Sequence, residues 1–173
     1  MKARGVAALC ATLMLVLVPA AYADGAGSSV MGGGHRACCP AHLDQKGAPF
    51  SVEAVEVAND GSATGHYNIN NPNHGVLDFK GDVTSMWVAA NRALVCGVVR
   101  EAALPEQAGT GFAVAFTDNG NPSGPVPDFV SLTNVFIAPI STQAECLANL
   151  FLFLPPVTLP MTEGNVTVSD AGA

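Results

Sequence analysis

The chain has 173 residues, 14 acidic against seven Lys or Arg, with 18 Gly, 12 Pro and only 12% charged side chains. A net charge of −7 without a basic cluster argues against binding a nucleic-acid backbone or an anionic lipid surface. The length suits one domain with a proper core, and few charges beside many Gly, Pro, Asn, Thr and Val suit an all-β fold with long turns.

The first 23 residues read as an export signal. Lys2 and Arg4 form a positive start, and Val6 to Val18 is apolar apart from Thr12. Ala21-Tyr22-Ala23 is a cleavage pattern, so the mature chain is predicted to begin at Asp24. The apolar run is short for a span, which needs about 20 residues. Cys10 lies inside the run and makes no lipid-attachment pattern. The mature chain then has 150 residues and five basic against 14 acidic groups, a net −9. A secreted, extracellular or periplasmic location is expected, with no membrane span after processing and no nucleic-acid partner.

Residues 24–48 are rich in Gly and are expected to form a flexible arm, with HRACCPAH at 35–42 inside it. The domain proper is expected over 49–173. Phe50 to Ala58 reads as its first strand. Its apolar residues switch from Phe50, Val52 and Ala54 to Val55 and Val57, which predicts a β-bulge near Ala54. Asn59-Asp60-Gly61 is a turn. Ala63 to Ile69 returns as a strand with Tyr67 and Ile69 inward. The Asn- and Pro-rich stretch to Gly75 breaks regular structure, and Val76 to Phe79 leads into a hairpin.

That hairpin, Val83 to Glu101, is the expected centre of the sheet. With Asn91 and Arg92 as the loop, Trp87 opposes Cys96. Val83, Trp87, Leu94, Cys96 and Val98 then share one face with Leu77 and Phe79. Thr84, Met86, Val88, Val95 and Val99 share the other. Trp87 is expected to be sealed in the core. Ala102 to Thr110 is an irregular connection. Gly111 to Thr117 alternates cleanly, with Phe112, Val114 and Phe116 on one side and Ala113, Ala115 and Thr117 on the other. Asp118 to Pro127 is a loop, and Asp128 to Ile137 closes a wide hairpin. In the Pro-interrupted segment 138–164, Leu150 to Leu154 reads as a buried strand or a plug over one end of the sheet. Asn165 to Ser169 is a last strand, and no amphipathic helical period is seen. The expected fold is all-β, an antiparallel β-sandwich or partly open barrel of about eight strands.

Three stretches occur in order: ANRALVCGVV, FTDNGNPSGPVPDF and LPMTEGNVTVSDA. They resemble a loose group of small secreted bacterial proteins common in actinobacteria. The group's pattern is a G-N-R-A hairpin, D-N-G-x-P-G…D, a Pro-rich segment with a Cys, and L-P-L-T-x-G-N-x-x-V-x-D. The resemblance covers about residues 50–172 and implies a β fold and export, with no activity attached. Ala90 stands where the group usually has Gly. The region of Met86 and Trp87 lacks the Cys common there in the group, and Cys96 sits across the hairpin instead.

Four cysteines remain after processing, and four allow three pairings. Disulfides are the default in an oxidising compartment. Cys96 with Cys146 is the preferred pair, because it pins the Pro-rich segment to the hairpin. A closed loop of that size would stabilise by about 4 kcal/mol in the chain-entropy model. Cys38 and Cys39 are adjacent, and a bond between them would be strained. A labile bond, free thiols and intermolecular pairing stay open for them.

Met31, His35, Cys38, Cys39 and His42 offer soft ligands for Cu(I) or Zn²⁺. Their spacing matches no standard zinc finger, and the rival is an arm with incidental ligands. Asp118, Asn119, Asn121 and Asp128 offer hard oxygens for Ca²⁺. The calcium-loop pattern is not met, and Pro122, Pro125 and Pro127 suit a plain rigid loop.

The nucleophile-elbow, zinc-protease and phosphate-loop motifs are absent. His66 and His74 can pair with Glu53, Glu56 or Asp78 across strands, an arrangement more often structural than catalytic, and carboxylate pairs for sugar hydrolysis are not local in sequence. Asn165-Val166-Thr167 fits the N-glycosylation pattern. The leading expectation is a non-catalytic extracellular or cell-envelope binding or structural module whose ligand is unknown. A metal-binding secreted protein using His35 to His42 comes second, and a small hydrolase third. A binding module should expose an apolar or aromatic patch.

Overall fold

A computed structural model of the chain describes residues 27–39, 42–70, 78–120, 124–154 and 158–172. The expected cleavage site and residues 24–26 lie outside them. Nine strands form one antiparallel sheet: β1 Ser29–Cys39, β2 His42–Glu56, β3 Ala63–Ile69, β4 Phe79–Ala89, β5 Arg92–Ala102, β6 Gly111–Thr117, β7 Phe129–Ser131, β8 Asn134–Phe136 and β9 Thr158–Ser169. Their order is β5-β4-β3-β2-β1-β9-β7-β6-β8, and β5 also pairs with β6. That last pairing closes an eight-stranded barrel, with β8 as an extra strand on β6. Of the two architectures expected, the chain adopts the barrel and closes it fully, so that none of its eight strands is left as an edge strand.

Within the segment expected to be a flexible arm, 24–48, Ser29–Cys39 and the residues from His42 are barrel wall. β1 pairs with β2 on one side and β9 on the other. Its glycines are a condition of that fit rather than a sign of looseness. At Gly34 (φ 152°) a side chain would strike the backbone of Glu163 and Gly164 on β9. Backbone ladder bonds on both sides hold a strand that has little side chain to bury.

The lumen is packed solid. Phe50, Tyr67, Phe79, Phe112 and Phe116 meet ring to ring, with Tyr67 stacked 5.5 Å from Phe112. Val30, Val52, Ile69, Met86, Val95, Val114, Val130 and Val166 fill the rest. Tyr67 and Ile69 point inward as expected. Gly97 gives Phe112 its place, since a Cβ there would come within 2.8 Å of the ring.

Two expected irregularities move. β2 runs against β3 without a register shift from Phe50↔Ile69 to Glu56↔Ala63, so no bulge sits at Ala54. Val55 and Val57 simply face outward, Val57 at 62% exposure. A bulge does occur at Thr84, between the pairs Val83↔Gly97 and Ser85↔Cys96. It turns Phe79 and Val83 into the lumen with Met86, away from the face of Trp87.

The hairpin loop is Ala90-Asn91, one residue earlier than expected, because Ala89 pairs with Arg92. Ala90 takes φ 53°. Its amide donates to Asp170 Oδ2 at 2.7 Å, and Asn91 Nδ2 donates to the Asp118 carbonyl at 2.7 Å. These anchors set the turn. Trp87 therefore opposes Leu94, and Ser85 opposes Cys96.

The single strand expected over Asp128 to Ile137 is broken into β7 and β8. At the end of β7 the Ala115 amide donates to Ser131 Oγ at 2.9 Å, and in the gap Thr133 Oγ1 meets the Tyr67 hydroxyl at 2.8 Å inside the barrel. Phe112, Val114 and Phe116 face the lumen, and Ala113 and Ala115 face out, as the alternation of β6 predicts.

The outer face of β5 and β6 is also covered. Leu94, Cys96, Ala113 and Ala115 pack under Ile140, Cys146 and Leu152, with Trp87, Phe136 and Phe153 at the rim. This strap contains a short helix, α1 Gln143–Leu147, started by a reciprocal cap between Thr142 and Glu145. Backbone amides of Ser141 and Thr142 and the Thr142 side chain hold the Glu145 carboxyl below its usual range. Leu150–Phe153 forms a 3-10 turn rather than a buried strand or an end plug. Leu152 alone of the apolar patch is fully buried, while Leu150, Phe151 and Leu154 are 41%, 46% and 60% exposed. Trp87 is half-buried on the outer wall, edge-on to Phe153 at 6.0 Å, not sealed in the lumen.

Candidate functional site

Cys96 and Cys146 form a disulfide with Cα atoms 5.7 Å apart, the pair preferred from the sequence. It joins the middle of β5 to α1, and both residues are fully buried.

The soft-ligand residues lie along the β1–β2 hairpin. Cys39 is directly opposite His42 in the register, near the hairpin end. The side chains of residues 38–46 lie outside the described ones. His35 Nδ1 is 3.0 Å from the Gly47 carbonyl, and Met31 is 47% exposed. Among the described residues no three His, Cys, Asp or Glu side chains come together as a metal set.

The hard-oxygen loop has a structural use. Asp128 Oδ1 accepts from Asn119 N at 2.8 Å and its Oδ2 from Val166 N at 3.0 Å. Asp118 Oδ1 accepts from Gly120 N at 2.7 Å and its Oδ2 from Val168 N at 3.0 Å. All four carboxylate oxygens thus clamp the loop and β9. Asn121 lies outside the described residues.

His66 Nε2 is 3.8 Å from Glu53 Oε2 on the exposed wall of β2 and β3, each side chain about half exposed. His74 lies outside the described residues. Asn165 Nδ2 donates to Thr167 Oγ1 at 3.3 Å within β9.

A groove that local sequence patterns did not reveal opens on the outer wall. Arg92, Thr117, Asn119, Val126, Phe129, Phe153 and Thr158 line about 300 Å³. The sheet register brings them together: Arg92 at the start of β5 pairs with Thr117 at the end of β6, and Thr117 pairs with Phe129 of β7. Thr158 opens β9 beside Ser131, and its hydroxyl donates to the Leu152 carbonyl at 3.0 Å. The strap adds Phe153, and the Arg92 guanidinium lies 5.8 Å over its ring centre.

The charge at this groove differs from that around Lys80 and Arg100. Lys80 pairs with Glu101 at 2.9 Å, which holds the Glu101 carboxyl below its usual range, and Arg100 pairs with Asp82 at 3.0 Å. Arg92 has no carboxylate within salt-bridge distance among the described residues. A second cleft, at Asn68, Asn70, Asp78, Lys80 and Glu101, holds about 370 Å³, but its Lys and Glu neutralise each other. The sequence signals for the first groove were weak: a rare cation at a hairpin turn, and an aromatic inside an apolar patch. Comparison with protein-family models, with curated proteins and with solved structures finds no match for this chain.

Proposed function

We propose that the protein is an exported, non-catalytic barrel that works outside the cytoplasm or in the cell envelope by binding a ligand at its surface. The filled lumen is the observation that carries this reading. Barrels that hold a ligand inside keep a cavity there; here aromatic rings occupy it. Recognition then falls to the outer wall, where the Arg92–Phe153 groove supplies aromatic surface and a cation. A buried Cys96–Cys146 bond supports export, since disulfides persist in oxidising compartments. The leader pattern of residues 1–23 supports it too.

Expression of the whole chain in a secreting bacterial host tests the exported half. The expected product begins at Asp24 by intact mass and has Cys96 and Cys146 closed to alkylation; retention in the cytoplasm with Met1 intact contradicts it. Co-sedimentation of the mature chain with washed envelope from that host tests the binding half. Depletion of the wild type, lost on Phe153→Ser, is expected. Equal recovery of both in the supernatant contradicts it.

A second reading, metal binding, has one observation in its favour: the register sets Cys39 opposite His42. Removing residues 24–48 is unsuited as its test, because β1 and half of β2 would go with them. Cys38→Ser with Cys39→Ser is the fitting variant. Stoichiometric Cu or Zn in the parent, lost in the variant, supports this reading, and a metal-free parent excludes it. The hydrolase reading gains no observation, since His66 and Glu53 stand on an open wall and line neither groove.

A further inference from the structure

We infer that the groove at Arg92 takes a small anionic amphiphile: a carboxylate or similar planar oxyanion on an aryl or short acyl body. This rests on the surface-binding reading and gives that surface its ligand class.

Three observations converge. The mature chain carries a large negative excess, so anions are repelled unless a local cation outweighs the field. Arg92 is such a cation, since no carboxylate neutralises it among the described residues. Asp118 and Asp128, in the loop beside it, have their oxygens on backbone N–H groups. Second, the guanidinium lies over the Phe153 ring. The ring limits its freedom and leaves its N–H fork for a two-point bond to an oxyanion.

Third, the lining joins apolar side chains to polar ones. Phe129, Phe153 and Val126, the last 50% exposed, offer surface to an aryl or acyl group, and Thr117, Asn119 and Thr158 supply the polar part of the lining. Its volume lies at the low end of small-molecule sites, which start at about 300 Å³. That limits the ligand to a small body. A sugar would find few open hydroxyl partners, since Thr158 Oγ1 and Asn119 Nδ2 already donate to the carbonyls of Leu152 and Pro127.

The single Trp of the chain gives the readout, because Trp87 packs edge-on to Phe153. The mature protein is titrated with 4-phenylbutyrate, octanoate, 4-phenylbutan-1-ol and butyrate while Trp87 emission is followed. Calorimetry runs alongside to register a spectroscopically silent complex. The expected result is saturable binding of at least one of the two larger acids, which also identifies the body as aryl or acyl. The alcohol should bind about tenfold or more weakly than phenylbutyrate, and butyrate not measurably. Arg92→Gln should bring phenylbutyrate down to the level of the alcohol and leave the alcohol unchanged. No binding of either larger acid, equal binding of acid and alcohol, or an unaffected Arg92→Gln variant overturns the inference. If envelope binding persists while these titrations fail, the ligand class is wrong and the surface-binding reading survives.

Discussion

Cys96 in the middle of β5 is bonded to Cys146 in α1, 50 residues further on, and the bond sits on the outside of the barrel under Leu152 rather than in the lumen. It bolts the strap to a wall whose two faces are both apolar. Thr84 Oγ1 donating to the Ile140 carbonyl and Gln143 Nε2 donating to the Met86 carbonyl add polar anchors to the same strap. Replacing both cysteines by Ala should lower unfolding stability by about 2–4 kcal/mol, the usual range for such a crosslink. Urea unfolding measures this. Trp87 emission should shift to the red in the folded variant, because the strap supplies Phe153. An unchanged urea midpoint contradicts this account of the strap.

Ala90 pays a local conformational cost at φ 53°, a region where L side chains are disfavoured. Its amide bond to Asp170 and its position between the paired Ala89 and Arg92 hold it there. Ala90→Gly should stabilise the barrel by about 0.5–1 kcal/mol, with relief of that strain outweighing the freer unfolded chain. A higher melting temperature is the expected readout, and a lower one contradicts the turn assignment.

Tyr67 is fully buried in the lumen, and burial pushes its phenol above the ordinary range. The Thr133 hydrogen bond and the positive charge of Arg36 offset part of that rise. For a group whose pKa is raised in the fold, the stabilising effect is complete below the unfolded value. It is lost as pH climbs through that value, about 10 for a phenol, toward the folded one. Alkaline unfolding should therefore begin above pH about 10. Tyr67→Phe should remove this component of the alkaline transition and cost about 1 kcal/mol at neutral pH through the orphaned Thr133 hydroxyl. Tyrosinate absorbance during a pH titration measures it. Ionisation of Tyr67 at an ordinary phenol pH in the folded chain contradicts a sealed lumen.

Asp128 is buried and bridges Asn119 to Val166 through its two oxygens. Asp128→Asn should cost about 1–3 kcal/mol, because an amide offers a donor where the backbone needs an acceptor. Millimolar Ca²⁺ should leave the melting temperature of the parent unchanged, since the loop's carboxylates already serve backbone donors. A rise with Ca²⁺ and not with Mg²⁺ contradicts this and restores the calcium reading.

Some of this fold is legible in the sequence for plain physical reasons. β6 alternates large and small residues because one of its faces meets the lumen and the other the strap, and β3 shows Tyr67 and Ile69 at strand spacing. β1 is illegible because Gly32, Gly33 and Gly34 carry no side chain to show a period; what identifies it is the backbone of β2 and β9 on either side. The faces of β4 could not be assigned from alternation, since the bulge at Thr84 resets the frame between Val83 and Met86. The strap hid its role because Leu150 to Leu154 has strand-like apolarity and buries only Leu152 fully. The groove was hidden most completely. Arg92, Thr117, Phe129, Phe153 and Thr158 come from five separate segments, and only barrel closure brings them together.

The central claim is that recognition belongs to the outer wall and not to the barrel interior. The most direct measurement is a two-dimensional amide NMR titration of the mature chain with 4-phenylbutyrate. The account predicts shift changes concentrated at Arg92, Thr117, Asn119, Phe129, Phe153 and Thr158. Changes centred on Tyr67, Phe112 and Phe116, or none at saturating ligand, would contradict it.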